Sequence, residues 1–125
     1  MAKLVDANVI LRHLLRDVEE QSAQARIIIA GGAFTTTEVL AEVVYVLQGV
    51  YKVPRGRIAE ALTALLGEVL TDHTDVMEKA LAIYAAGSLD FVDCVLIARA
   101  LILGDDVFTF DKKLNAALQE QLEQK

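Results

Sequence analysis

The sequence predicts an α/β domain built on a small parallel sheet. Short apolar runs of strand character alternate with longer stretches whose apolar residues recur at helical spacing. No two strand-like runs are joined by a tight turn, so the strands must be connected through helices, which makes them parallel. The chain has 125 residues, 54% of them apolar, enough to build one buried core and too many for a disordered segment. Repeats, linkers and low-complexity stretches are absent, so residues 1–125 read as one domain with a frayed charged end.

The first strand is Lys3–Val5, closed by Asp6. From about Asn8, the residues Val9, Ile10, Leu14 and Leu15 space a first helix. A second runs from about Val18 to Ala30 and stops at Gly31-Gly32. Ala33–Thr35 is a second strand. Thr35 and Glu38 have the spacing of a capping box for a third helix, with an apolar stripe of Val39, Leu40, Val43, Val44 and Leu47. Pro54 opens a fourth helix and Glu68–Leu70 is a weaker strand signal. Asp75 with Glu78 caps a fifth helix that ends at Gly87; Asp90 opens a sixth that stops at Gly104. Val107–Phe110 is the clearest strand of the second half, and an amphipathic helix follows from Lys112.

The formal net charge of −6 speaks against nucleic acid unless the acids hold a divalent cation, which would invert the local field. A lone cysteine, Cys94, suits a reducing cytosol. No apolar run approaches the roughly 20 residues that span a bilayer, and the N-terminus has no signal-peptide pattern. A cytoplasmic protein with no membrane partner is expected.

Four acids stand out by position. Ligands of a parallel sheet bind beyond the carboxyl ends of its strands. Asp6 follows the first strand and Asp111 the last one, which would set both on one edge. Glu42 lies too deep in its helix to cap it and borders the apolar stripe, where a carboxylate needs a partner or a cation. Asp93 sits in the first turn of the sixth helix, where a helix dipole alone is reason enough for an acid. Asp90 is a good N-cap first and a support for Asp93 second. Each acid taken singly reads as structural; the four together suit Mg²⁺ or Mn²⁺, with no His or Cys cluster for zinc. Such ions polarise a phosphodiester and lower the pKa of an attacking water.

The motifs resemble those of PIN domains. Asp6-Ala7-Asn8 resembles the family's opening motif, and Val39–Leu47 its helix bearing an acidic Glu. Asp90–Ala98 resembles the segment whose second Asp is the third acid, and Thr109-Phe110-Asp111 the closing motif. By length and by the Tyr45, Tyr51 and Arg57 stretch, the similarity is greatest to VapC-type toxins of VapBC toxin–antitoxin pairs. The resemblance implies a single PIN-like domain, with a parallel sheet of four to five strands flanked by helices. It further implies a metal-dependent endoribonuclease in which Asp6, Glu42, Asp93 and Asp111 are catalytic and bind Mg²⁺ or Mn²⁺. Asn8 and Thr109 would orient them, with Asp90 behind. The implied partners are an RNA substrate, a VapB-like antitoxin and a second copy in a homodimer.

Other residues have plainer readings. Glu38 is explained by capping, His13 and His73 are isolated, and Cys94 is core packing. The tyrosines and phenylalanines fall at core spacing, which assigns them to packing or a dimer surface rather than to base stacking. A phosphotransfer receiver domain would need a Lys after the late strand, where Asp111 stands; a haloacid-dehalogenase-like phosphatase would need an Asp at Asn8. The alternative from another class is a catalytically silent PIN-fold protein that only binds or scaffolds.

Overall fold

Lys3–Leu4 (β1), Ala33–Thr35 (β2) and Leu70–Thr71 (β3) pair in parallel, in the order β1-β2-β3. The coordinates are a computed structural model that describes residues 2–124. The register sets Lys3 against Ala33 and Leu4 against Phe34, then Phe34 against Leu70 and Thr35 against Thr71. Backbone contacts divide the chain into two units, one up to residue 74 and one from residue 75 onward.

The first unit holds the sheet and four helices: Ala7–Leu15 (α1), Glu19–Ala30 (α2), Thr37–Gly49 (α3) and Arg55–Leu65 (α4). The helix from α1 packs on both α2 and α3, and α3 packs on α4. Ile10, Val43, Val44, Ile58 and Leu65 are wholly buried there, as the helical spacing requires. Pro54 stands at the N-cap of α4, where its missing N–H costs nothing. The cap of α3 differs from the expected one. Thr36, not Thr35, accepts the Val39 amide at 3.2 Å. Thr35 is buried, and its hydroxyl donates to the Val5 carbonyl at 3.1 Å, tying the end of β2 to the residue after β1.

The second unit is helical: Thr74–Ala86 (α5), Phe91–Leu103 (α6) and Lys112–Glu123 (α7). Tyr84 meets Phe91 edge to face at 6.0 Å, and Met77, Cys94 and Ile97 complete its buried apolar set. The helix α6 stops at Gly104, whose φ of 72° is the left-handed cap that glycine adopts without strain. The helix α5 begins at Thr74, one residue before the expected cap; its Asp75 carboxylate accepts the Val76 amide at 2.9 Å. The expected fraying falls partly on Lys125, outside the described residues.

The sheet has three strands among the described residues, not the four to five expected. The strand anticipated at Val107–Phe110 is irregular chain. Its side chains still alternate, Val107 and Thr109 half-buried, Phe108 and Phe110 exposed, but the sheet of the described residues does not include it. Local bonds take its polar groups instead. The Thr109 hydroxyl accepts the Asp111 amide at 3.0 Å, and the Thr109 carbonyl accepts Asn115 Nδ2 at 2.9 Å. No described helix is long and apolar enough to cross a membrane.

Candidate active site

In the first unit the parallel pairing of β1 with β2 puts the carboxyl ends of both strands on one edge. Asp6 stands just past β1 on that edge. It is the N-cap of α1, and its Oδ1 accepts the Val9 amide at 3.1 Å. This bond engages one carboxylate oxygen of an exposed side chain. Asn8 lies in the first turn of α1, on the wall of an open pocket of about 250 Å³ shared with Arg12, Gln21 and Gln24. Arg12 is held by Asp17 at 2.8 Å. Glu42 lies in the second turn of α3, the helix that leaves β2 at the same edge. It is exposed, so burial is not what would make its carboxylate seek a cation. Helical spacing beside an apolar stripe had set it at the border; the neighbours Ala41 and Val43 are buried while Glu42 faces water.

In the second unit Asp90, Asp93 and Asp111 share one electrostatic environment. Asp90 is the exposed N-cap of α6, and Asp93 sits half-buried in its first turn. Desolvation raises the pKa of Asp93 above the ordinary 3.8, the negative charges of Asp90 and Asp111 raise it further, and Lys113 opposes them. Asp111 follows irregular chain rather than a strand, and a helix fixes it instead. It is the N-cap of α7, with Oδ1 accepting the Leu114 amide at 3.0 Å. Thr109 orients Asp111 through the backbone: its hydroxyl receives the Asp111 N–H. Asn115 and Lys113 were not singled out by their sequence context. Asn115 lies one helical turn beyond Asp111, the spacing from which a side chain folds back over a helix start, and it holds the Thr109 carbonyl. Lys113 donates to the Ser88 carbonyl at 3.4 Å and is the cation nearest in effect to Asp93.

A family model described as PIN domain matches residues 3–117. The chain belongs to the PIN domain family. Its fold is therefore of nuclease type, an α/β architecture with a parallel sheet and, among the described residues, seven helices. No curated protein and no solved structure matches it.

In this PIN domain the donors fit a hard divalent cation by chemistry. All four acids offer carboxylate oxygen, and the mutual repulsion felt at Asp93 is what a cation relieves. Both capping acids keep one carboxylate oxygen outside their cap bonds. Among the described residues, however, no three His, Cys, Asp or Glu side chains are gathered closely enough to hold a metal ion. His13 is buried and faces Glu68 at 3.3 Å, an ion pair only when the imidazole is protonated. Cys94 is wholly buried.

Proposed function

We propose that this PIN domain, residues 1–125 as one unit of function, is an Mg²⁺- or Mn²⁺-dependent endoribonuclease. The observation that carries the reading is the match of residues 3–117 to the PIN domain model, beside the like-charge repulsion of Asp93 by Asp90 and Asp111. Asp6, Glu42, Asp93 and Asp111 would hold the cation, which supplies Lewis acidity toward a phosphodiester and lowers the pKa of water. The chain's own residues do the positioning. Asp6 and Asp111 each spend one oxygen on a helix cap, which fixes the direction in which the other is presented. Asp93 keeps a proton more readily than an ordinary aspartate and gives it up as positive charge arrives. Thr109 and Asn115 hold the backbone that carries Asp111, and Asn8 would orient Asp6 or the scissile phosphate.

Within the family, the Tyr45, Tyr51 and Arg57 stretch supports a VapC-type toxin of a type II toxin–antitoxin pair. Such a protein works in the cytoplasm as a homodimer and is silenced by a VapB-like antitoxin. A second reading has an observation of its own. The net charge of −6 opposes a polyanionic substrate, which favours a PIN-fold protein that binds without cutting.

Cleavage of total cellular RNA by the purified, partner-free protein decides between them. Discrete fragments formed with Mg²⁺ or Mn²⁺, absent with EDTA and absent in Asp6→Asn and Asp93→Asn, are the expected result. Full activity in either variant would remove the assignment. A metal-loaded wild type that leaves RNA intact would establish the binding-only reading.

A further inference from the structure

Between α1 and α2 lies an open cavity of about 250 Å³ that helix packing does not explain. Its wall comes from these two helices alone, both in the first unit, so its shape is set within that unit. Packed helices ordinarily close such a seam with interdigitating apolar side chains. Here Asn8 and Arg12 stand one turn apart on α1, and Gln21 and Gln24 stand on α2, beside the apolar Val9 and Ile28. The seam therefore carries three carboxamides and a guanidinium.

The guanidinium has a donor with nowhere to go. Arg12 Nη1 donates to Asp17 Oδ1 at 2.8 Å, which holds the planar fork in place. Arg12 Nε is buried and has no hydrogen-bond partner. A buried donor left unanswered carries a desolvation cost that an acceptor in the cavity removes.

Three observations select that acceptor. The Arg12 charge is already matched by Asp17 and the carboxamides are neutral, so a phosphate or carboxylate gains little there. The volume falls below the roughly 300–1,000 Å³ of sites for drug-sized ligands and suits one flat ring system. Arginine and carboxamides are also the side chains that read base edges, through N–H and C=O groups held in one plane. Guanine presents two adjacent acceptors, O6 and N7, along one edge. Adenine sets an amino donor in place of O6, and a pyrimidine has no N7.

We propose that the cavity between α1 and α2 is a guanine pocket, in which Arg12 Nε answers the O6/N7 edge and Gln21 and Gln24 hold the other polar atoms of the base. The pocket rests on the ribonuclease reading and adds a specificity determinant to it. Asn8, in its wall, is two residues from Asp6, so a guanine held there fixes which phosphate of the strand reaches the acids.

The test observes Arg12 directly. In proton–nitrogen correlation spectra of the metal-free protein, guanosine should move the Arg12 Nε–H resonance and the side-chain amides of Gln21 and Gln24. Adenosine, uridine and 7-deazaguanosine, which lacks the N7 acceptor, should each bind about five- to 150-fold more weakly. Inorganic phosphate should leave these resonances in place. Gln21→Ala and Gln24→Ala, at exposed positions, should each weaken guanosine binding by about two- to 13-fold. Arg12→Lys keeps a charge for Asp17 and loses the Nε donor, so it should bind guanosine as poorly as wild type binds adenosine. The nucleoside series needs no variant and stands even if Arg12→Lys fails to fold. Equal responses to all the nucleosides, a response to phosphate, or none to millimolar guanosine each overturn the pocket. The two readings fail separately. Guanosine bound through Arg12 by a protein that never cleaves RNA removes the nuclease and leaves the pocket. End-mapped cleavage without regard to guanine, by a protein whose Arg12 resonance ignores guanosine, removes the pocket and leaves the nuclease.

Discussion

Asp93 has a carboxyl whose surroundings favour the neutral form, through partial desolvation first and the charges of Asp90 and Asp111 second. Its folded pKa therefore lies above the value in the unfolded chain. The linked stability is fully present below the ordinary value of 3.8 and is lost as pH rises through the raised folded value. Asparagine does not titrate. In metal-free thermal melts Asp93→Asn should match wild type at the acid end and melt higher at neutral pH, the gap opening across that window. Because the group remains largely accessible to water, the gap is modest. A wild-type melting temperature that climbs relative to Asp93→Asn as pH rises would show that Asp93 is stabilised as an anion.

Two of the four acids are also helix caps, and that dual use decides how they must be tested. Asparagine keeps the cap oxygen and loses the charge; alanine loses both. Asp111→Asn and Asp111→Ala should both lose cleavage, but only the alanine variant should lose stability, by about 1 kcal/mol in urea unfolding. Equal stability of the two would mean that the bond to Leu114 contributes little. The same elements show what was legible in the chain. All seven helices of the described residues are foreshadowed by apolar spacing and by punctuation such as Pro54 and Gly104, because those signals act within a turn or two of where they are written. The cap of α3 was misplaced by one residue, since Thr35 and Thr36 are equivalent until a tertiary bond to Val5 claims the first. Val107–Phe110 misled for a related reason. Strand preference reports fit to a pleated surface, and whether a neighbouring strand exists is settled elsewhere in the chain. The sheet of the described residues does not include that segment, and its alternation leaves two rings exposed.

At the scale of the whole molecule, the net charge of −6 makes any polyanion partner depend on what neutralises the acids. The candidate acids were found by position in sequence; the distribution of their places between caps and half-buried positions was not readable without coordinates. Millimolar Mg²⁺ should raise the melting temperature of wild type by mass action and leave that of Asp6→Asn, Glu42→Gln or Asp93→Asn nearly unmoved. An equal rise in all of them would mark a general salt effect. Cys94 adds a consequence of a different kind. It is the chain's one thiol, has no measurable exposure, and lies beside Asp93 on α6. A thiol-specific reagent reaches it only when α6 opens, so the labelling rate serves as a clock for that opening, read without any engineered label. Slower labelling with metal or RNA bound would then time how far occupation of the acids locks α6.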